Sequence, residues 1–135
     1  MRAARTLYAG MAWLFFGAVV VQVFLAGLGL LGGGDMHAHI GFGFLLPLLT
    51  IPLLLLAWAA QPDRRTFRLT VLLLFVTFLQ TFLPGLRQDA PVLAALHPVN
   101  ALLIFWVGLT IARGATAMAR RPAAAANELP AVQEA

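Results

Sequence analysis

Histidine and glutamine side chains stand in register at two places in an otherwise apolar chain. Gln22–Leu28 reads QVFLAGL and Gln80–Leu86 reads QTFLPGL, so five of the seven positions are identical. Each segment is followed, 17 residues after its glutamine, by a histidine: His39 in one case and His97 in the other. Imidazoles can bind metals, and ionisable groups inside apolar segments mark functional sites. The repeat therefore predicts one site that both halves of the chain build together.

The composition is that of a membrane protein. Of the 135 residues, 61% are hydrophobic and 10% are charged, whereas soluble domains have about 25% charged residues. Four apolar stretches, near residues 7–31, 36–60, 67–86 and 91–112, reach the roughly 20 residues that a membrane-spanning helix needs. We number them spans 1 to 4. The internal repeat covers residues 17–47 and 75–105.

The predicted fold class is all-α, a four-helix transmembrane bundle made of two parallel-repeat helical hairpins. Residues 1–121 form its single four-span domain. The alanine-rich stretch 122–135 is typical of a disordered cytoplasmic tail.

The arginines predict the orientation of the spans. Eight of the nine arginines lie at the chain ends or between spans 2 and 3, and Arg87 alone lies on the opposite side. The positive-inside rule then places both termini in the cytoplasm, and we expect a multi-pass protein of the bacterial plasma membrane. Because the arginines act as topology signals, we expect no nucleic-acid partner. The absence of cysteine excludes thiolate sites.

The repeat also predicts the depth of the site. Parallel repeats place equivalent residues at equal depth, and the helical rise of about 1.5 Å per residue puts His39 and His97 level with Gly27 and Gly85. The glycines remove side-chain volume where the histidines point inward. This arrangement suits a flat ligand bound on both faces by histidine, as heme is bound between facing helices. Two histidines without acidic neighbours are too few ligands for zinc.

The segments Gln22–His39 and Gln80–His97, with LHPVNALLIF opening span 4, resemble the four-helix heme-binding half of the heme A synthase family. They also resemble bis-histidine transmembrane b-type cytochromes, and the chain is similar to small four-span membrane proteins of bacteria. The resemblance covers roughly residues 17–111. It implies one heme b per chain, with His39 and His97 as axial ligands. A heme A synthase has two such halves and this chain has one. The spans contain no acidic residue, so we expect no independent catalytic activity.

Other residues of the predicted site have two interpretations each. Gln22, Gln80 and Asn100 either hydrogen-bond between helices or contact a cofactor edge or a quinone. Gly27 and Gly85 give either close helix packing or clearance for the cofactor.

Two further residues flank the site. Arg87 pairs either with heme propionates or with lipid headgroups. His37 is the alternative ligand. It lies two residues from His39 and so points to nearly the opposite side of a helix, and the repeat selects His39.

Three functions follow as hypotheses. The first is an electron-transfer protein with one bis-histidine heme near the outer leaflet; it would need a redox partner or a quinone, since one heme cannot carry an electron across the bilayer. The second is a cofactor-free membrane subunit, and the third is a small transporter or quinone-binding protein. Besides membrane lipids, a second copy of the chain is an expected partner, because a homodimer would have the eight helices of the two-half synthases.

Overall fold

Within residues 1–33 and 35–120, which the computed structural model describes, all regular elements are helices. They are α1 Arg2–Leu31, α2 His37–Gly43, α3 Leu45–Ala60, α4 Arg64–Phe82, a 3-10 helix Leu83–Arg87, α5 Pro91–Ala94 and α6 Leu96–Arg120. In this part of the chain, four stretches are long and apolar enough to cross a membrane: Arg2–Leu31, His37–Ala60, Arg64–Arg87 and Pro91–Arg120. The predicted all-α four-helix bundle is confirmed. The predicted tail, 122–135, lies outside the described residues.

The four spans form a ring. Helix α1 packs against α3 and α6, and α4 packs against the same two helices. Helices α1 and α4 are therefore diagonal to each other, as are α3 and α6. This is the placement that two parallel-repeat hairpins produce, since one rotation axis exchanges α1 with α4 and α3 with α6.

Spans 2 and 4 are each interrupted four residues before a proline. Helix α2 ends at Gly43, four residues before Pro47, and α5 ends at Ala94, four residues before Pro98. Proline has no N–H group, so the carbonyl four residues earlier loses its helical donor and the helix is weakened there. Helix α3 nevertheless continues through Pro52. His39 lies just before the first break and His97 just after the second. Both histidines therefore lie where their span is bent.

The bundle is packed most tightly at one end. We call the end near Arg2, Arg64 and Arg120 the arginine end, and the end near His39 and His97 the histidine end. The buried apolar side chains of α1 all lie between Tyr8 and Val19, and those of α6 between Ile104 and Ala115. Helices α2 and α5, at the histidine end, contain no buried residue. The core therefore holds the arginine end and the middle together and leaves the histidine end loosely packed.

Hydrogen bonds between helices reinforce the packed end. The Tyr8 hydroxyl lies 2.7 Å from Thr70 Oγ1, and Tyr8 is fully buried. Thr70 Oγ1 donates to Thr66 O at 3.0 Å, so the Tyr8 hydroxyl donates to Thr70. This bond joins the diagonal helices α1 and α4 through the centre of the ring. At the rim of the bundle, Trp13 Nε1 donates to Thr116 Oγ1 at 2.8 Å.

Replacing Tyr8 with Phe should lower the free energy of unfolding by about 1 kcal/mol, the usual strength of a hydrogen bond between membrane helices. Phenylalanine keeps the aromatic ring of the side chain, and the Thr70 hydroxyl keeps its bond to Thr66 O. No buried donor is therefore left unpaired. Unfolding in mixed detergent micelles, followed by far-ultraviolet circular dichroism, measures the change. A loss above about 3 kcal/mol would mean that the hydroxyl has further partners.

Candidate functional site

Gln22 on α1 and His39 on α2 form the first Gln–His pair. His39 Nδ1 donates to the backbone carbonyl of Gln22 at 3.2 Å. In return, Gln22 Nε2 donates to the backbone carbonyl of His39 at 2.8 Å and lies 3.5 Å from His39 Nε2. The two residues are thus bonded through both side chains and both backbones, which connects the neighbouring helices α1 and α2.

Gln80 on α4 and His97 on α6 form the second Gln–His pair with the same contacts. His97 Nδ1 lies 3.2 Å from Gln80 O, and Gln80 Nε2 lies 3.0 Å from His97 O and 3.3 Å from His97 Nε2. The same three pairs of atoms are therefore in contact in both halves of the repeat. Of the two interpretations open for Gln22 and Gln80, hydrogen bonding between helices is present in the structure.

Nδ1 of each imidazole has the stronger hydrogen-bond partner. A backbone carbonyl only accepts hydrogen bonds, so Nδ1 of each ring must carry a proton. The contacts of Nε2 with the carboxamide nitrogens, at 3.5 and 3.3 Å, exceed the normal hydrogen-bond range. Nε2 of each ring therefore has no strong partner.

The two imidazoles face each other across the ring of helices. Their centroids lie 6.3 Å apart, and the planes of the rings are inclined at 77°. Both histidines are half-buried. The structure therefore brings together the two residues that the sequence predicted as metal ligands, from the diagonal spans 2 and 4.

The glycines of the repeat are not sites of close packing. A Cβ atom built on Gly27 or Gly85 meets no atom within 4 Å, so neither glycine is needed for helices to approach each other there. Gly43, which the sequence did not single out, is a close contact: a Cβ there would lie 2.7 Å from Gln22 Nε2. Gly43 lets the Gln22 side chain cross to α2. Only its four-residue distance from His39 could have indicated this.

A proline distinguishes the second pair from the first. Pro84 stands where the first half has Ala26. In a continuous helix the residue at position 84 would donate to the carbonyl of Gln80, but proline has no N–H group. His97 Nδ1 therefore bonds to a carbonyl without a helical donor, while His39 Nδ1 shares the Gln22 carbonyl with the backbone of α1. The two Nδ1 bonds have the same length, 3.2 Å, but the two carbonyls differ in what else they accept.

Asn100 makes the second difference between the halves. Its Nδ2 donates to Gln80 Oε1 at 2.7 Å and to Val76 O at 2.8 Å. The matching position in the first half is Phe42, which offers no donor. Gln22 Oε1 is buried and has no hydrogen-bond partner in the described part of the chain. The Gln80 side chain is thus fully bonded, and that of Gln22 is not.

His37 and Arg87 stand apart from this arrangement. The side chain of His37 is exposed, and its backbone N–H donates to Asp35 Oδ1 at 2.7 Å, where α2 begins. Arg87, the last residue of the 3-10 helix, is exposed. Its side chain makes no hydrogen bond or ion pair with any residue in 1–33 or 35–120. Neither residue joins the two Gln–His pairs.

The unequal bonding gives opposite expectations for two matched substitutions. Gln80→Leu removes the bonds to His97 and to Asn100 and should destabilise the fold by about 2 kcal/mol. Gln22→Leu removes the bonds to His39 but also removes a buried, unpaired oxygen, whose burial costs about 1–3 kcal/mol. Its net effect should therefore be small. Unfolding of both variants in the same micelles tests this, and equal losses would contradict it.

No protein-family model, no curated protein and no solved structure matches the chain.

Proposed function

We propose that the chain is a membrane protein that binds one b-type heme between His39 and His97 and transfers electrons. The observation that carries the proposal is the facing pair of imidazoles, 6.3 Å apart between centroids, at the loosely packed end of a four-span bundle. Both rings belong to diagonal helices, so a ligand held between them would lie on the central axis of the ring.

The donor atoms fit heme. An imidazole nitrogen binds a metal at about 2 Å, so two imidazoles on opposite sides of one ion have centroids roughly 6 Å apart, close to the observed separation. Each Nδ1–H is held by a backbone carbonyl, the outer contact that fixes metal-binding histidines in the correct tautomer. The nitrogen left for an iron is Nε2, and its long contact with a glutamine nitrogen is the weakest bond to displace.

The surroundings also fit a large, flat group. The described side chains of α2 and α5 include no buried residue, so widening this end disrupts no packed core. A Cβ on Gly27 or Gly85 would meet no atom within 4 Å, so close helix packing does not account for these glycines, and cofactor clearance is the role that we assign to them.

His39 and His97 would hold the heme, and a heme held by two histidines would supply electron transfer and not oxygen chemistry. The chain's own part is to hold the two imidazoles, with Nδ1 bonded to a carbonyl in each case, and to exclude water with apolar spans. We assign the arginine end, with eight of nine arginines, to the cytoplasmic side of a bacterial plasma membrane. The heme would then lie near the outer leaflet, and a redox partner or quinone would complete the electron path.

The Gln–His hydrogen bonds favour a second candidate, a cofactor-free membrane subunit. They give Nδ1 of both imidazoles a backbone carbonyl partner and bond each glutamine side chain to the backbone of its histidine. In that case the two pairs would serve only to join α1 to α2 and α4 to α6.

An absorption spectrum separates the two candidates. Protein purified after expression with ample heme should show a Soret band that sharpens and shifts on reduction. His39→Ala and His97→Ala should each lose the band, and His37→Ala, the matched control two residues away, should keep it. Circular dichroism and gel filtration confirm that the variants are folded. Colourless wild-type protein would favour the cofactor-free subunit, and loss of the band in His37→Ala would overturn the choice of ligand.

The glycines provide a second test of the same site. Gly27→Leu should reduce heme content at least severalfold, because we expect Gly27 at the depth of the histidines, where a leucine side chain would take up the space of the cofactor. Gly10→Leu is the matched control: Gly10 lies on the same helix, near the arginine end, and a Cβ there also meets nothing within 4 Å. The ratio of heme to protein, from the pyridine hemochrome assay, measures both. Equal heme content in the two variants would contradict cofactor clearance.

A further inference from the structure

A cavity of about 310 Å³ opens at the arginine end, where α3 turns into α4. Its lining residues come from both helices and from the turn: Ala57, Trp58, Gln61, Pro62, Arg64, Phe67 and Arg68. Gln61 ends α3 in the left-handed conformation, with φ of 50°. The tight turn it makes places the end of α3 beside the start of α4. The volume is at the lower end of small-molecule sites, so it suits a headgroup and not a whole lipid.

Two guanidinium groups give the cavity its charge. Arg64 and Arg68 are four residues apart on α4, so they lie on the same face of the helix. Both are exposed, and neither forms an ion pair with any acidic residue in the described ranges. Two guanidinium groups on one face match the oxygens of a phosphate.

Within residues 1–33 and 35–120, the carboxylate next to these arginines in the chain is that of Asp63, and it is engaged elsewhere. Asp63 caps α4 by accepting from the backbone N–H groups of Arg65 and Thr66 at 3.0 and 3.1 Å and from the Thr66 hydroxyl at 2.6 Å. The hydrogen bonds from the side chain and backbone of Thr66 hold the pKa of the Asp63 carboxyl below its usual range. Asp63 is therefore ionised at neutral pH and held against the start of α4. It does not neutralise Arg64 or Arg68.

Apart from Gln61, the other residues that line the cavity are apolar. Trp58 is 75% exposed, although its ring is large and mostly apolar, and Phe67 lies half-buried beside it. Tryptophan at the end of a span is typical of the membrane interface. A ligand with a phosphate and an attached apolar chain would satisfy both the guanidinium groups and these rings.

We propose that this cavity binds the headgroup of an anionic phospholipid in the leaflet next to the arginine end. Arg64 and Arg68 hold the phosphate, and an acyl chain lies along Trp58 and Phe67. This site lies at the opposite end of the bundle from the two histidines. A test of lipid binding therefore neither supports nor contradicts heme binding. It would fix the angle between α3 and α4, the two helices that join the hairpins.

Titration of phosphatidylglycerol into the full chain, purified in a neutral detergent, tests the proposal by native mass spectrometry. Arg64→Gln with Arg68→Gln should weaken binding about tenfold or more, since each basic residue near a membrane surface contributes strongly to anionic lipid binding. Arg65→Gln with Arg113→Gln is the matched control. It removes the same charge from exposed positions outside the cavity and should weaken binding less than about twofold.

Trp58→Ala separates a lipid from a free anion. It keeps both guanidinium groups and should weaken phosphatidylglycerol binding severalfold. Equal loss in the two double variants would overturn the proposal, because it would show general attraction to positive charge. Competition by inorganic phosphate at the concentration of the lipid would also overturn it, because the ligand would then be a free anion. All five substituted positions are exposed, so gel filtration should show each variant folded.

Discussion

The reciprocal bond between a glutamine and a histidine is the constraint on which the histidine end depends. A membrane offers no water to polar groups, so each imidazole nitrogen must find a partner within the protein. The glutamine supplies two partners at once, a carbonyl for Nδ1 and a carboxamide near Nε2. In return, its Nε2 bonds to the backbone of the histidine. Because this exchange occurs in both hairpins, the two imidazoles are held in matching positions across the ring.

The two halves use the same bond with different support. Asn100 completes the hydrogen bonding of Gln80, and Pro84 leaves the Gln80 carbonyl available to His97. In the first half the equivalent positions are Phe42 and Ala26, and Gln22 Oε1 stays unpaired. His97 therefore lies in a rigid setting, while the carboxamide beside His39 is less constrained. A symmetric sequence motif has become a site with two unequal sides.

The buried core is concentrated away from the two Gln–His pairs. At the arginine end, Tyr8, Phe15 and Val107 are fully buried, and a hydrogen bond between Tyr8 and Thr70 crosses the ring. At the histidine end, the spans are bent beside Pro47 and Pro98 and hold few buried side chains. The packed end provides stability, and the open end is free to accommodate a ligand without disturbing the core. A site built on the firmly packed end would have to break that core to bind anything large.

The sequence by itself determined the all-α class, the four spans and the equivalence of His39 with His97. These follow from composition, from hydrophobic length and from the 58-residue spacing of the repeat, and none of them requires knowledge of contacts between helices. Tertiary structure decided the rest, because it depends on which helices become neighbours. The ring order placed spans 2 and 4 on a diagonal, so that the imidazoles meet. It also turned Gln22 and Gln80 towards the histidines of their own hairpins. Three features depend on contacts between side chains of different helices. They are the role of Gly43, the unpaired oxygen of Gln22 and the cavity between Arg64 and Trp58.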